Sequence, residues 1–471
     1  MVEKRTFLTK KRKSMNNLKK HPSSFRDPSG FVFEYEGKLY RQVNKRYADD
    51  YDLLLSSGLY DELLKGGKLI AHQALQQNLT GSNDWYVTLL PEQIQFISYP
   101  YEWCFDQLKD AALLTLDILQ ISLKHGMVLK DATPFNVQFV NGKPIFIDTL
   151  SFEKYNDTEP WVAYRQFVEC FIVPLVLSSY KSTDFIRQLQ LNPDGLSTSF
   201  AAKLLPFKSR FRLSLLLHIF LPNNISTRRK NASSARHTSF SKQKMLNIID
   251  NLQSLIRTLK PRRLYSVWNN YYEETILSND YLQAKSILVT KWLNELQGNI
   301  AIDIGTNTGA FAIDASKRYK NVIAVDADEL CIDELYKKCK TGRRENILPL
   351  WVDITNPTPA IGWANVERAG FISRLNADLV MALAVIHHLV IGSNIRMKQV
   401  VDIFKHITNL LLIEFVPEED PKVAEMLVRR ADIFDEYNQQ NFETCFSEEF
   451  NILRKETVSS SMRVLYLMQK K

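Results

Sequence analysis

The chain of 471 residues is 45% hydrophobic and 24% charged, with a net charge of +8. These proportions are typical of a globular protein, and the length predicts two domains of roughly 200 residues each. No stretch reaches the ~18 consecutive apolar residues that a transmembrane helix needs, so the sequence argues against a membrane span.

The positive charge is concentrated in two segments. Residues 1–20 contain eight Lys and Arg against one Glu, and residues 228–244 contain six with no acid. The rest of the chain is mildly acidic, so we expect a solvated basic tail (1–24) and a basic, Ser-rich linker (222–244), with no specific nucleic-acid site. Weak attraction of the tail to phosphate or membranes stays open.

Cysteine usage and the N-terminus indicate a cytoplasmic protein. The basic tail is not followed by the apolar segment of a secretory signal. The five cysteines are scattered and lack the paired spacing of a zinc site, which predicts free thiols in a reducing compartment and no bound metal.

The region 25–221 is predicted to be a separate α+β domain. Residues 31–43 alternate as a hairpin with Glu36 and Gly37 at its turn, and a helix is expected over 103–124. The helix leads into HGMVLKDATPFNVQFVNGKPIFID at 125–148.

This segment resembles the catalytic loop and metal-binding strand of kinase-like phosphotransferases. The resemblance implies that Asp131 is the base and that Asn136 and Asp148 are metal ligands. The sequence has no glycine-rich phosphate loop and no clear strand lysine paired with a helix glutamate. Two other interpretations are a hydrogen-bonded turn before a β-hairpin, and a degenerate kinase-like module that recognises an acceptor.

The region 245–471 is predicted to be an α/β domain with a helical lead-in at 245–260 and a further helix at 280–296. Apolar strands alternate with amphipathic segments, the pattern of a parallel sheet covered on both faces. The parallel strands are expected at 300–304, 322–325, 347–352, 379–383 and 410–415. No helix separates the last two strands, 452–457 and 463–468, so they form an antiparallel hairpin. We therefore predict a Rossmann-like, doubly wound, seven-stranded sheet.

Glycine and aspartate residues follow the first two strands of this sheet. The first strand runs into DIGTNTG, in which Gly305 and Gly309 permit a sharp turn and close approach of a ligand to the backbone. Asn307 is the non-glycine residue that best tolerates a left-handed conformation. Asp326 ends the second strand 17 residues after Gly309. A carboxylate in that position can accept two hydrogen bonds from a ribose diol.

These residues resemble the class I S-adenosylmethionine-dependent methyltransferases. DIGTNTG is similar to their glycine motif, VDAD at 325–328 to their ribose motif, and ALAVIHHL at 382–389 to their fourth-strand motif. The resemblance implies S-adenosylmethionine as the cofactor, bound by residues at successive strand ends. These are Asp303, Gly305, Asn307, Gly309, Asp326, Asp353 and Ala384. The C-terminal hairpin favours this family over dinucleotide dehydrogenases. The segments at 412–421 and 429–434 further resemble a branch that includes a rhizobial nodulation protein, which implies a small-molecule or carbohydrate acceptor.

The catalytic residues are less clearly marked. His387 and His388 are candidate bases because imidazole titrates near neutrality, although a structural role at the strand end is the alternative, and neighbouring side chains on a helix are expected to diverge. Glu414, at the end of the fifth strand, is a further candidate. Tyr271 and Tyr272 are candidates for covering the cofactor or for aromatic packing. A non-catalytic scaffold with a methyltransferase-like fold also remains open.

Overall fold

The computed structural model describes residues 18–222, 241–262, 279–427 and 436–471. Most of the predicted basic tail and basic linker lies outside these ranges. Tyr271, Tyr272 and the segment 429–434 also lie outside the described residues.

The N-terminal region begins with a five-stranded antiparallel sheet in the order β1-β2-β3-β5-β4. Its strands are β1 (Leu18–Lys20), β2 (Gly30–Tyr35), β3 (Lys38–Asn44), β4 (His72–Leu75) and β5 (Trp85–Pro91). Glu36 and Gly37 have φ angles of 51° and 74°, the left-handed pair that a tight hairpin turn requires. This confirms the predicted hairpin, in which β2 pairs with β3. Helices α1 (Ala48–Ser56) and α2 (Leu59–Lys65) connect β3 to β4.

A long helix and two short antiparallel strand pairs follow this sheet. Helix α3 (Phe105–Lys124) confirms the helix predicted at 103–124. The next four strands are β6 (Met127–Leu129), β7 (Val137–Val140), β8 (Lys143–Phe146) and β9 (Phe152–Lys154). β6 pairs with β9 and β7 pairs with β8, both antiparallel.

Short helices complete the N-terminal region. They are α4 (Tyr164–Phe167), α5 (Val173–Tyr180), α6 (Gln188–Leu191), α7 (Thr198–Leu204) and α8 (Leu213–Leu215). The predicted lead-in helix is α9 (Lys242–Thr258). It packs against α3, and Gln253 Nε2 donates to Asp117 Oδ1 at 2.9 Å. This helix, which the sequence pattern assigns to the C-terminal domain, is therefore attached to the N-terminal helices.

The C-terminal region forms the predicted seven-stranded sheet. Its strands are β10 (Gly298–Ile304), β11 (Tyr319–Asp326), β12 (Ile347–Trp351), β13 (Ala377–Ala382), β14 (Thr408–Phe415), β15 (Phe450–Thr457) and β16 (Val464–Lys470). The order is β12-β11-β10-β13-β14-β16-β15. The first five are parallel, and β16 runs antiparallel to β14 and β15. This is the class I methyltransferase layout that the sequence predicts, with the hairpin inserted beside the fifth strand.

Helices cover both faces of this sheet, whose central strands are apolar because neither face meets water. The helices are α10 (Asn279–Asn294), α11 (Ala310–Ala315), α12 (Glu329–Thr341), α13 (Phe371–Arg374), α14 (Met397–Ile407), α15 (Pro421–Leu427) and α16 (Gln439–Glu449). The direction of chain crossing reverses between β10 and β13. Open α/β sheets bind ligands at such a switch point.

The N-terminal and C-terminal regions are in direct contact. The backbone N–H groups of Phe105 and Asp106, at the start of α3, donate to the carboxylates of Glu329 and Asp333 on α12 at 2.9 and 3.0 Å. Buried apolar residues from both regions belong to one contiguous cluster. The division into domains at 25–221 and 245–471 stays a prediction. Within the described residues, no helix is both long and apolar enough to span a bilayer.

Candidate functional site

A cavity of about 850 Å³ opens at the carboxyl ends of β10 to β13. It lies at the switch point of the sheet. Seven of the ten predicted site residues line it: Asp303, Gly305, Asn307, Asp326, Asp353, Ala384 and His388. Gly309, His387 and Glu414 are not among its described lining residues. The structure therefore brings together most residues that the sequence analysis selected from four different strand ends.

The loop between β10 and α11 has left-handed backbone at three positions. Gly305, Asn307 and Gly309 have φ angles of 72°, 50° and 85°. A Cβ on Gly305 would lie 2.7 Å from Cγ2 of Val385, and a Cβ on Gly309 would overlap Leu335. Gly305 thus allows the loop to pack against Val385, whereas Gly309 allows it to pack against α12.

Two buried carboxyl groups stand beside this loop. Asp303 Oδ2 accepts a hydrogen bond from Thr306 Oγ1 at 2.7 Å, and Asp326 accepts from the N–H groups of Asn307 and Asp328 at 2.7 and 2.9 Å. Burial raises the pKa of Asp303 to about 7 and that of Asp326 to about 6. A donor or a positive charge brought into the cavity would stabilise both ionised forms.

The β12 side of the cavity carries Asp353. Its Oδ1 accepts hydrogen bonds from the N–H and hydroxyl of Thr355 at 2.8 and 2.7 Å. The guanidinium of Arg187 lies 3.8 Å from the centre of the Trp351 ring. Asp353 and Trp351 both line the cavity.

The N-terminal region supplies part of the cavity wall. Ser182, Thr183 and Asp184 of this region line the cavity, and Arg262, which follows α9, lines it as well. No local pattern marks them, because they reach the cavity through the packing of one region on the other.

The two histidines lie close together, contrary to the expected divergence. Their ring centroids are 4.1 Å apart. His387 is buried, whereas His388 lines the cavity. Burial and then the charges of Arg463 and Lys422 lower the pKa of His388 to about 4, so its imidazole is neutral at pH 7. Ala384, which also lines the cavity, has a φ of 57°, a strained conformation for a residue with a Cβ.

Glu414 lies beneath the cavity and is fully buried. Its two oxygens accept hydrogen bonds from Tyr281 Oη and Lys285 Nζ, each at 2.6 Å. Arg463 Nη1 donates to the Tyr281 hydroxyl at 3.0 Å, and its Nε and Nη2 bind Asp420. Tyr281 and Lys285 line the cavity, although the sequence analysis did not select them.

The predicted phosphotransferase residues form a second polar cluster, between β6 and β9. Asp131 interacts with Asn136 and with the charge of Asp148. Arg41, from β3, forms an ion pair with Asp148, which also accepts a hydrogen bond from Ser151 Oγ at 2.5 Å. Burial would raise the pKa of Asp148, but Arg41 and these hydrogen bonds outweigh it and the pKa is lowered. The kinase-like interpretation stays a prediction.

The chain was compared with known families and solved structures. No family model matches it. It is similar to nodulation protein NoeA of Rhizobium meliloti (strain 1021), with 33% identity over 458 residues and 95% of each chain covered.

Two solved structures also resemble parts of the chain. One is the N-methyltransferase NodS from Bradyrhizobium japonicum WM9, with 14% identity, a TM-score of 0.30, and 41% of this chain and 98% of NodS covered. The other is magnesium protoporphyrin IX methyltransferase (ChlM) from Synechocystis PCC 6803 with bound S-adenosylmethionine. ChlM has 14% identity to this chain and a TM-score of 0.30, and the match covers 43% of this chain and 89% of ChlM. The fold assignment rests on the strand order itself. Because the identity to NoeA extends along nearly all of both sequences, the chain belongs to the NoeA family of nodulation proteins.

Proposed function

We propose that this protein is an S-adenosylmethionine-dependent methyltransferase whose cofactor binds at the carboxyl edge of the seven-stranded sheet. The observation that carries the proposal is that Asp303, Gly305, Asp326 and Asp353 line one cavity of about 850 Å³. That volume falls within the roughly 300–1,000 Å³ of small-molecule and cofactor sites. Gly305 and Val385 both line the cavity, and a Cβ on Gly305 would lie 2.7 Å from Cγ2 of Val385.

Each residue has a defined part in this proposal. The carboxylate of Asp326 accepts hydrogen bonds from a ribose diol, and Asp353 accepts from an adenine amino group. S-adenosylmethionine supplies a methyl group activated by a sulfonium charge, so the transfer is an in-line displacement that depends mainly on alignment. Asp303 places negative charge on the same side as the sulfonium and ammonium groups of such a ligand.

His388 is the proposed proton acceptor. Its low pKa makes it a weak base at neutral pH, but an acceptor oxygen becomes strongly acidic as it gains a methyl group, and a neutral imidazole in the cavity can take that proton. His388→Ala should lower kcat at pH 7 without changing the Kd for S-adenosylhomocysteine. If kcat is unchanged, His388 is not the proton acceptor.

Calorimetric titration tests the cofactor assignment. The wild-type protein should bind S-adenosylmethionine and S-adenosylhomocysteine, and Asp303→Ala should weaken both. Absence of binding to the wild type would refute the proposal. A protein that binds the cofactor but transfers no labelled methyl group to any cell-extract fraction would instead be a scaffold that keeps the fold.

The acceptor is proposed to be a small molecule or a carbohydrate, as the resemblance to the nodulation-protein branch implies. Labelled S-adenosylmethionine incubated with fractionated lysate would mark it for identification by mass spectrometry. A labelled protein or nucleic acid would contradict this part of the proposal.

The cellular compartment is a separate part of the proposal. All five cysteines are free and four are buried, which supports action in a reducing compartment such as the cytoplasm. Fractionation of cells would test this location.

A phosphotransferase activity is the second candidate function. The observation that favours it is the proximity of Asp131, Asn136 and Asp148, which come from separate positions around β6 to β8. Magnesium-dependent ATP binding that is lost in Asp148→Asn would support it. No ATP binding to a folded wild-type protein would leave the cluster a structural one.

A further inference from the structure

The end of the N-terminal region exposes a group of large apolar side chains. Phe207, Phe211 and Leu213 are 67%, 79% and 64% exposed, and Leu217 and Leu221 are 41% and 38% exposed. Single apolar residues are ordinary on a protein surface, but a contiguous group of them indicates a contact surface. We call these five residues the apolar patch.

The two phenylalanines of the apolar patch lie on a short turn that packs against a helical segment, 213–220. The rings of Phe207 and Phe211 meet edge to face, with their centroids 5.7 Å apart. The guanidinium carbon of Arg210 lies 5.3 Å from the centre of the Phe207 ring and 5.4 Å from that of Phe220. The turn therefore contacts the helical segment directly, and the patch is one surface.

The three leucines of the patch form one side of this helical segment. Residues that are four positions apart lie on the same face of a helix, and Leu213, Leu217 and Leu221 are all exposed. Leu215 and Ile219, which alternate with them, are fully buried. The segment thus packs on the N-terminal region with one side and presents leucines to the surroundings with the other.

Positive side chains flank the apolar patch. Lys203, Lys208 and Arg210 are exposed, and α7, which carries Lys203, contacts the helical segment 213–220. The sequence from Leu196 to Ile249 contains ten Lys and Arg and no Asp or Glu. A surface of this kind repels a second copy of itself, because a twofold interface would bring like charges together, and it attracts an anionic partner. We call these three exposed cations the basic flank.

The combination of exposed apolar and basic side chains fits an anionic lipid bilayer better than other partners. Phenylalanine and leucine side chains enter the boundary between headgroups and acyl chains, and neighbouring Lys and Arg are attracted to anionic headgroups. Lysine is depleted at protein–protein interfaces. The phosphates of a nucleic acid bind cations but give no reason to expose leucines beside them.

We propose that the apolar patch and the basic flank form a surface for peripheral binding to a bilayer that contains anionic lipids. The apolar side chains enter one leaflet, and the cations lie at its headgroups. Binding at this surface does not need the cofactor, so the inference stands apart from the proposed function and can fail or hold independently of it.

Flotation of the full chain with lipid vesicles tests this surface. The wild type should bind vesicles of equal parts phosphatidylcholine and phosphatidylglycerol about tenfold or more tightly than vesicles of phosphatidylcholine alone. Raising the salt concentration from about 0.1 M to about 1 M should weaken this binding, because the Debye length falls from about 10 Å to about 3 Å. No binding to the anionic vesicles, or equal binding to both kinds, would overturn the inference.

A double variant separates insertion of the apolar patch from adsorption by charge alone. Phe211→Ser combined with Leu213→Ser should weaken binding to the anionic vesicles about tenfold or more, since the side chains that enter the leaflet are lost. Ile287→Ser combined with Leu453→Ser is the matched control. These two residues of the C-terminal region are 63% and 50% exposed, and their variant should bind like the wild type. Equal binding by the two double variants would overturn the inference.

A charge variant and a measurement of mass complete the test. Lys203→Gln, Lys208→Gln and Arg210→Gln together should weaken binding to the anionic vesicles about tenfold or more and remove the preference for phosphatidylglycerol. Unchanged binding would contradict the role of the basic flank. If sedimentation instead shows a wild-type dimer that Phe211→Ser with Leu213→Ser converts to a monomer, the apolar patch is an interface between copies of the chain and the inference is wrong.

Discussion

The two polar clusters of this protein use the same kinds of residue in opposite ways. At the edge of the seven-stranded sheet, Asp303 and Asp326 face a cavity, and burial raises the pKa of both. In the N-terminal region, Asp148 faces Arg41, and its pKa is lowered. Among the residues that the structure describes, neither Asp303 nor Asp326 forms an ion pair, although the charge of Lys285 acts on Asp303, whereas Asp148 is paired with Arg41.

The comparison shows why strand-end aspartates alone do not identify a ligand site. Both clusters follow short apolar strands, and both resemble known catalytic motifs. They differ in whether the protein itself neutralises the carboxylate. A carboxyl that lies beside a cavity and is poorly solvated there is available to bind a ligand. A carboxylate that is paired with an arginine of the protein instead contributes to the stability of the fold.

Removing Arg41 should have the largest effect. Arg41→Ala leaves the Asp148 carboxylate buried without its cation, which should lower the free energy of unfolding by about 3 kcal/mol in urea titrations. Arg165→Ala breaks an ion pair whose arginine is 82% exposed, and should cost less than about 0.5 kcal/mol. If the two variants are equally stable, Asp148 does not depend on Arg41 and the contrast between the clusters is wrong.

Blocking the glycine loop should abolish most cofactor binding. Gly305→Ala places a Cβ against Val385 at the cavity and should weaken S-adenosylhomocysteine about 100-fold, or about 2.7 kcal/mol, by calorimetry. Gly37→Ala is the matched control. Gly37 has nearly the same φ, 74°, but a Cβ added there would meet no atom within 4 Å, so this variant carries the backbone strain without the blocked cavity. If both variants bind S-adenosylhomocysteine equally well, the glycine loop is not part of the cofactor site.

The sequence predicted the parts of the fold and site that depend on local pattern. The alternation of apolar strands and amphipathic segments predicted five parallel strands and a C-terminal antiparallel hairpin, and the spacing from Gly309 selected Asp326. Lys285, Tyr281 and Asp184 could not be found this way, because they reach the cavity from preceding helices and from the other region of the chain. The burial of Glu414 and its hydrogen bonds to Tyr281 and Lys285 appear only in three dimensions, and the role of Glu414 as a base stays a prediction.

The proposed ribose contact can be tested by comparing two aspartates, Asp326 and Asp328, at the end of β11. Asp326→Asn should weaken S-adenosylhomocysteine and 5′-methylthioadenosine alike by about tenfold, or about 1.4 kcal/mol, because both ligands carry the ribose. Asp328→Asn keeps the helix cap that this residue provides at Leu330 N–H and should change affinity less than about twofold. If Asp328→Asn loses more affinity than Asp326→Asn, the residue that contacts the ribose is Asp328.

The smallest effect is a pH dependence of stability from Asp303. Its pKa in the folded protein is about 7, above the ordinary 3.8, so its favourable contribution is complete below about pH 4 and is lost as the pH rises through 7. Asp303→Asn is neutral throughout, so it should gain on the wild type by about 0.8 kcal/mol between pH 6.5 and pH 8 in urea titrations. Asp314→Asn, on the partly exposed helix α11, should show no such gain. If the gap between Asp303→Asn and the wild type stays constant with pH, Asp303 is ionised like a solvent-exposed acid. In that case Asp303 would not need a partner from outside the protein, and the contrast between the cavity carboxyls and Asp148 would be wrong.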